Sequence, residues 1–189
     1  MQPSASPNQL ALLLWDLRSL INLGMLLRVA ETYRVDVAVL GSRAVLDDHE
    51  KMRTVSDFAC GALERAGFAE LTDETAVKRF AEGRRLIATS VEPSSVGLHA
   101  FAFHTGDIVM IGNEYDGLAA SALAAASATI RIPMADVWTP KPPSSRPIDA
   151  ERAAPVARDG MPSLNAAIAG GILCYQWHID RMRANAGPL

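Results

Sequence analysis

Short apolar runs that alternate with helix-forming segments constrain this chain of 189 residues more than any other feature. The first run, Leu10–Trp15, is apolar at every position, which predicts a strand buried on both faces. A helix should follow, with apolar residues at helical spacing from Leu23 to Ala30 and with Asn22 as its N-cap. Doubly buried strands that alternate with helices are typical of a mostly parallel sheet flanked by helices. The sequence therefore predicts an α/β fold.

The same alternation continues along the chain. Further strands are expected at Asp36–Leu40, Phe68–Leu71, Leu86–Ser90, Ile108–Ile111 and Thr129–Ile132. Further helices are expected near Val55–Ala66, at Asp73–Gly83, at Leu118–Ala126, and in a last segment that Ser163 would cap and that runs through Trp177. Arg43–Arg53 is expected to be a charged connection between the second strand and the second helix.

A proline-rich stretch at about 135–162 interrupts the pattern and shows no apolar periodicity. A loop of this length in a compact domain is usually functional or disordered. Its arginines could cover a bound polyanion, and a solvated insertion is the other interpretation. With 49% hydrophobic and 21% charged residues, residues 1–189 are expected to form one domain that contains this insertion.

Charge, cysteine content and hydropathy exclude several classes of protein. A net charge of −3 means that any contact with RNA needs a local cationic patch. Cys60 and Cys174 are too few for a disulfide framework or a zinc cage, which predicts a reducing, cytoplasmic setting. The histidines lack metal-ligand spacing, so we expect no metal. No apolar run reaches membrane-span length and residues 1–9 do not resemble a signal peptide, so we expect no membrane partner.

Three polar clusters stand where strands end or helices begin. Asn22 and Arg28 are six residues apart on one helix, so their side chains lie about 120° apart and both can border a pocket at the helix N-terminus. Glu114 lies in a glycine-bounded turn after a predicted strand, at the edge where open α/β sheets bind ligands. Ser163 and Asn165 open the last helix. Each residue also has a structural interpretation as a cap, a turn residue or a solvated charge.

These clusters resemble the three ordered motifs of the SpoU/TrmH family of SPOUT-class RNA 2′-O-methyltransferases. The matching segments are Asn22–Arg28 (NLGMLLR), Gly112–Gly117 (GNEYDG), and Ile132–Met134 (IPM) with Ser163–Asn165 (SLN). The resemblance runs from about residue 10 to residue 181. It implies a C-terminal deep trefoil knot, S-adenosylmethionine as the cofactor, and a homodimer in which the last helix forms part of the interface through Ile172, Tyr175 and Trp177.

The resemblance also implies roles for individual residues. The cofactor-binding positions would be Thr89, Gly112, Ile132, Met134, Ser163 and Leu164. The catalytic positions would be Arg28 with Asn22, Glu114, Ser163 and Asn165. Arg28 would act on the ribose 2′-hydroxyl, either as a base or by binding the adjacent phosphate and stabilising an alkoxide; a guanidinium normally stays protonated, which favours the second role.

The chain departs from the family pattern between Met134 and Ser163, where relatives usually have a short connection. The first predicted strand begins near residue 10, so we expect no appended N-terminal RNA-binding domain. RNA would then be recognised by the catalytic dimer, with candidate contacts at Arg18, Arg34, Arg43, Lys51 and Arg53. By analogy with short family members, tRNA is the first expected substrate and rRNA the second.

Two other functions are compatible with parts of this pattern. A Rossmann-type dinucleotide enzyme would share the α/β pattern, but no Gly-x-Gly-x-x-Gly follows the first strand. A non-catalytic RNA-binding relative would share the fold, but the full set of catalytic residue types is present in this chain.

Overall fold

The computed structural model describes residues 8–41, 47–113, 116–134 and 164–186, and over these residues it confirms the α/β prediction. The strands are β1 (Ala11–Trp15), β2 (Asp36–Leu40), β3 (Ala69–Leu71), β4 (Leu86–Thr89), β5 (Val96–Gly97), β6 (Ile108–Gly112) and β7 (Ala128–Arg131). The α-helices are α1 (Leu20–Tyr33), α2 (His49–Ala59), α3 (Ala62–Arg65), α4 (Glu74–Phe80), α5 (Ala120–Ala125) and α6 (Ala166–Ala186). A 3-10 helix, Leu98–Ala100, follows β5.

The seven strands of the described residues form one sheet in the order β3-β2-β1-β6-β4-β7-β5, and every pair among them is parallel. In the middle of the sheet, Leu13 of β1 is in register with Ala38 of β2 and Met110 of β6. Strands β2 and β3 lie on one side of β1, and β6, β4, β7 and β5 lie on the other. The chain thus reverses its direction of winding beside β1, which is where doubly wound folds bind ligands.

Two hydrophobic cores cover the two faces of the sheet. Alternate residues of β1 point to opposite faces, as the pleat of a strand requires. Leu12 and Leu14 pack with α1, α2, α3 and α6 on one face. Leu13 and Trp15 pack with α4 and α5 on the other. Burial on both faces explains why β1 is apolar at every position.

Helix α1 begins three residues earlier than the sequence suggested. Ser19 is its N-cap, and the Ser19 hydroxyl accepts the backbone N–H of Asn22 at 3.3 Å. The prediction that Asn22 is the N-cap is therefore wrong. Asn22 lies inside the first turn with only 5% of its surface exposed. Its buried side chain contacts another element, the start of α6.

The second helical region differs from the predicted helix near Val55–Ala66. Helix α2 starts inside the predicted connection Arg43–Arg53, because Asp48 caps it by accepting the N–H groups of Glu50 and Lys51. A left-handed turn at Cys60 and Gly61 then separates α2 from α3. Apolar spacing alone did not reveal either the cap or the break.

Helix α6 is capped by Asn165 rather than by Ser163. The Asn165 side-chain oxygen accepts the N–H groups of Ala167 at 2.8 Å and Ile168 at 3.3 Å, which are the bonds of an N-cap. Ser163 itself lies outside the described residues, as do Arg43, Glu114 and the predicted insertion at about 135–162.

The remaining differences are small. Strand β5 was not predicted, because two residues are too short for a periodic pattern; Val96 and Gly97 pair with β7. The ends of the other strands and helices agree with the predictions to within a few residues. None of the helices in the described residues is sufficiently long and apolar to cross a membrane.

An ion pair with one buried member, the carboxylate of Asp107, lies at the amino-terminal edge of the sheet. Asp107 is 1% exposed and accepts hydrogen bonds from Nε and Nη2 of Arg85 at 2.8 and 2.7 Å. The backbone N–H of His104 donates to the same carboxylate at 2.8 Å. The hydrogen bonds that Arg85 donates to Asp107 raise the pKa of Arg85. This pair lies before β6, at the edge opposite the strand ends where ligands bind.

Replacing Asp107 with alanine should lower the free energy of unfolding by about 2 kcal/mol, because the hydrogen bonds that Arg85 and the His104 N–H donate to its buried carboxylate are lost. Urea denaturation measures this change. Lys51→Gln is the control, since it removes the ion pair with Asp48, in which both side chains are exposed, and should cost less than about 1 kcal/mol. Equal effects of the two substitutions would contradict the structural role of Asp107.

Candidate functional site

Three predicted cofactor positions lie at the carboxyl ends of three adjacent strands. Gly112 ends β6, Thr89 ends β4, and Ile132 follows the last residue of β7. These strands are neighbours in the sheet, so the three residues share one edge. The Thr89 hydroxyl donates to the carbonyl of Met110 at 2.8 Å and thereby ties the end of β4 to β6. Ligands of open α/β sheets bind at this edge.

The turn after β6 folds back tightly on Gly112. The N–H of Gly117 donates to the carbonyl of Asn113 at 3.1 Å, and Gly117 has a φ of 70°. A Cβ atom on Gly112 would lie 2.1 Å from the carbonyl carbon of Gly117 and 2.4 Å from the backbone nitrogen of Leu118. Only glycine fits at position 112. Predicted catalytic residue Glu114 belongs to this turn in the sequence and lies outside the described residues.

A hydrogen bond joins two predicted catalytic asparagines that are far apart in the sequence. Asn165 donates from its side-chain amide to the side-chain oxygen of Asn22 at 3.0 Å. The oxygen of the same Asn165 amide caps α6, so the orientation of the side chain is fixed from both ends. The N-terminus of α6 carries a partial positive charge. The first and third motifs therefore meet at this helix end.

Close packing of α6 brings this helix end to the sheet edge. A Cβ atom on Gly170 would lie 2.2 Å from Leu26 of α1 and 3.5 Å from Ile111 of β6. The absence of a side chain at residue 170 lets α6 approach both elements. The Asn22–Asn165 pair thus lies at the start of a helix that packs directly behind the end of β6.

Two more predicted cofactor positions lie at the ends of the described ranges 116–134 and 164–186. Met134 is half-buried two residues after Ile132. Leu164 is 37% exposed and precedes the Asn165 cap. Both are apolar, which suits the walls of a nucleoside pocket. Ser163 lies outside the described ranges.

Arg28 lies in a groove between α1, the end of α2 and the start of α6. The groove has a volume of about 730 Å³. Nη1 of Arg28 donates to Sγ of Cys60 at 3.4 Å. The residues that line the groove come from α1, α2, the turn after α2, and α6: Met25, Arg28, Val29, Asp57, Phe58, Cys60, Ala167, Ile168, Gly171, Ile172 and Tyr175. Asn22 is not among them, so the structure brings Asn22 to Asn165 and places Arg28 in the neighbouring groove.

Most of the groove is apolar and exposed. Met25 is 37%, Phe58 41%, Ile168 48%, Ile172 36% and Tyr175 54% exposed. Contiguous exposed apolar side chains mark interaction surfaces. Sequence reasoning missed the first three residues, although the spacing of the α6 members (i, i+4, i+7) could have indicated a second apolar face.

Trp177 does not belong to this surface. It is 4% exposed and packs edge-on against Phe103, with ring centroids 6.0 Å apart. The expectation that Trp177 lies in an interface is corrected to core packing within the chain. The same core raises the pKa of the buried Cys174 thiol to about 12, which makes a nucleophilic role for Cys174 unfavourable.

The predicted RNA contacts occupy different environments. The guanidinium of Arg18 bridges Asp16 and Asp116 at 3.3 and 3.2 Å, and Asp16 also accepts from the buried Asn113 at 3.4 Å. Lys51 forms an exposed ion pair with Asp48, the N-cap of its helix. Arg34 is the left-handed C-cap of α1 and Arg53 is exposed on α2. Sequence reasoning missed both aspartates, which lie in loops without a periodic pattern.

No cluster of His, Cys, Asp and Glu with three or more members that could hold a metal ion occurs within residues 8–41, 47–113, 116–134 and 164–186. The arrangement at the sheet edge instead combines backbone groups, apolar side chains and side-chain amides. Such a set of groups suits an organic ligand with an apolar body and a few polar atoms.

A protein family and several solved structures are similar to this chain. The SpoU rRNA Methylase family matches residues 9–138. A search of curated protein sequences found no match. The SpoU methyltransferase AviRb from Streptomyces viridochromogenes has a similar structure, with a TM-score of 0.72 and 21% sequence identity. The match covers 95% of this chain but only 62% of AviRb, so the chain spans about three fifths of that protein.

Two other solved structures are similar. An rRNA methyltransferase from Sinorhizobium meliloti, solved with AdoMet bound, matches with a TM-score of 0.67 and 22% identity, over 97% of this chain and 59% of the other. A structure that addresses the 2-OH methylation of C/U34 on tRNA matches with a TM-score of 0.69 and 22% identity, over 94% of this chain and 99% of the other. These similarities confirm the α/β fold.

Proposed function

The chain belongs to the SpoU rRNA methylase family, and from this premise we propose that it transfers the methyl group of S-adenosylmethionine to a ribose 2′-hydroxyl of RNA. The observation that carries the proposal is the hydrogen bond between Asn22 and Asn165. It joins the first and third motifs at the start of α6, behind the strand that ends in Gly112. The cap of α6 uses only the side-chain oxygen of Asn165, so the hydrogen bond from its amide nitrogen to Asn22 has a purpose beyond capping.

The residues at the sheet edge fit the cofactor. Ile132, Met134 and Leu164 supply apolar surface for the adenosine, and the backbone near Gly112 and Thr89 supplies polar groups. Ser163 completes this proposed set. When bound, S-adenosylmethionine supplies an electrophilic methyl group. We also propose that the C-terminal segment is threaded into a deep trefoil knot, a proposal supported by family membership.

Arg28 is the proposed catalytic cation. A ribose hydroxyl is a weak nucleophile and has to be oriented and stabilised as its proton leaves. The guanidinium stays protonated in ordinary environments, so it suits binding of the neighbouring phosphate and stabilisation of the developing alkoxide. In the alternative form of the proposal, Arg28 acts as the base that accepts the proton of the ribose 2′-hydroxyl. Asn22, Glu114, Ser163 and Asn165 orient the ribose around it.

A second copy of the chain is the proposed occupant of the Arg28 groove. The groove is lined by α1 and α6, which a two-fold axis can place against the same helices of a partner. Its five exposed apolar side chains provide the core of such an interface. Because Arg28 is in this groove and the asparagine pair is beside it, a homodimer can assemble the site from both copies.

Replacing Ile172 with aspartate should weaken the homodimer at least about 100-fold, because it buries a charge at the centre of an apolar interface. Sedimentation velocity over a concentration series measures the change. Leu123→Asp is the control, since Leu123 is 44% exposed on α5, on the opposite face of the sheet. A monomeric wild-type protein at micromolar concentration, or an Ile172→Asp variant that dimerises like the control, would contradict the proposed interface.

The proposed substrate is tRNA, with rRNA as the second candidate. The support for tRNA is the similarity over nearly the full length of a protein whose structure addresses methylation of tRNA. Arg34, Arg43, Lys51 and Arg53 are the proposed phosphate contacts on or near α1 and α2. Arg18 is the remaining candidate, and its present partners are Asp16 and Asp116.

A deletion strain tests the proposal and identifies the substrate. Site-by-site mapping of 2′-O-methyl groups in total RNA should show the loss of one or a few marks, which return when the wild-type gene is restored but not the Arg28→Ala gene. A thermal shift on the purified protein tests the cofactor separately. S-adenosylhomocysteine should raise the melting temperature and NAD should not; the reverse result would favour a dinucleotide enzyme.

A further inference from the structure

A strained turn contacts the side chain to which we assign catalysis. Cys60 has a φ of 52° and Gly61 a φ of 85°, so both residues between α2 and α3 are left-handed. A residue with a Cβ is disfavoured in this conformation, and such strain persists only where neighbouring contacts maintain it. Strained residues of this kind are concentrated at functional sites. Cys60 ends α2 in this conformation as Arg34 ends α1, and what distinguishes Cys60 is the contact of its thiol with Arg28.

Contacts from α1 and α3 hold the turn in place. Nη2 of Arg65 donates to Glu31 at 2.7 Å and to the carbonyl of Cys60 at 3.3 Å. The hydrogen bond from Arg65 lowers the pKa of Glu31, so this acceptor stays charged. Glu31 is on α1, three residues after Arg28. The turn is thus attached to the same helix that carries the catalytic arginine.

The thiol of Cys60 points from this turn to Arg28. Sγ accepts a hydrogen bond from Nη1 of Arg28 at 3.4 Å. The same thiol can donate to the carbonyl of Asp57, 3.8 Å away. Donation toward Asp57 leaves a sulfur lone pair for the guanidinium. Cys60 is therefore oriented as an acceptor for Arg28 within the groove.

We propose that Cys60 is a positioning residue that sets the orientation of the Arg28 guanidinium, an inference that rests on the proposed function. An arginine side chain has many rotamers, and a displacement of about 1 Å at a reacting centre can cost about 100-fold in rate. Sulfur is a weak, neutral acceptor. It orients the guanidinium without neutralising it, so a phosphate oxygen of RNA, which is a stronger acceptor, can take over the bond.

Replacing Cys60 with glycine distinguishes an effect on the position of Arg28 from an effect on the stability of the fold. Cys60→Gly relieves the left-handed strain and removes the sulfur, so the melting temperature should stay equal or rise while kcat falls about five- to tenfold. The Michaelis constant for S-adenosylmethionine should change less than about twofold. Cys60→Ser keeps an acceptor and should recover most of kcat. The control is Ser56→Ala, which removes an exposed hydrogen bond from α2 to Glu64 of α3.

The results discriminate between the inference and the function on which it rests. A kcat for Cys60→Gly within twofold of Ser56→Ala, or equal losses in Cys60→Gly and Cys60→Ser, would overturn the positioning role even if methyl transfer is established. NMR of the arginine side chains tests the contact without RNA. The Arg28 guanidinium signals, assigned with Arg28→Lys, should shift in Cys60→Gly and not in Ser56→Ala. Unchanged signals would overturn the inference whatever the enzyme does.

Discussion

Replacing Arg28 with alanine should lower kcat for methyl transfer by about 10²- to 10³-fold, the range found when one group that stabilises developing negative charge is removed. The affinity for S-adenosylmethionine should change less than about threefold, because the proposed cofactor positions lie at the sheet edge while Arg28 lies in the neighbouring groove. A tritiated-methyl assay measures the rate, and calorimetry measures cofactor binding on the same preparation.

Arg53→Ala is the matched control for Arg28→Ala. Arg53 is an exposed arginine on the adjacent helix α2, and as a phosphate contact its loss should weaken RNA binding and reduce the dependence of affinity on salt. Its kcat at saturating RNA should remain near the wild-type value. If Arg28→Ala behaved like Arg53→Ala, with a change confined to RNA affinity, Arg28 would be an RNA contact without a part in the chemical step.

Replacing Gly112 with alanine should abolish binding of S-adenosylmethionine and lower the free energy of unfolding by about 3 kcal/mol, at the upper end for overpacking. The new Cβ would collide with the backbone at Gly117 and Leu118, with the closest approach at 2.1 Å. Backbone atoms cannot rotate away as a side chain can, so the whole turn must move. Calorimetry and urea denaturation report the two effects separately.

Gly83→Ala controls for the general cost of replacing a glycine. Gly83 has a φ of 71°, but a Cβ there would meet no atom within 4 Å. Its substitution should cost about 1 kcal/mol from backbone strain and leave cofactor affinity unchanged. If Gly112→Ala bound S-adenosylmethionine as well as Gly83→Ala does, the turn after β6 would not be part of the cofactor pocket.

The sequence was most informative where burial imposes a pattern. The uninterrupted apolar run of β1 could be recognised because both faces of a central parallel strand are covered. Helix starts were harder to locate. Ser19, Asp48 and Asn165 cap α1, α2 and α6, and each lies near another residue of a similar capping type, so composition alone did not decide between them.

The arrangement of the site depends on tertiary packing and could not be obtained from spacing. The contact between Asn22 and Asn165 needs α6 to approach α1 closely, which Gly170 permits. The place of Arg28 depends on where α2 ends, and that end is a left-handed cysteine that no periodicity predicts. The family motifs identified the residues, whereas the distribution of those residues between a sheet edge and a groove came from the structure.

Transfer of label from S-[methyl-³H]adenosylmethionine to RNA of the deletion strain, followed by alkaline hydrolysis, tests the central claim most directly. Alkali cleaves RNA through attack by a free 2′-hydroxyl, so a 2′-O-methyl group leaves an uncut dinucleotide. We predict that the wild-type protein places the label in alkali-resistant dinucleotides and that Arg28→Ala does not. Label recovered only in mononucleotides, or no label in any RNA fraction with cofactor bound, would contradict ribose methylation by this protein.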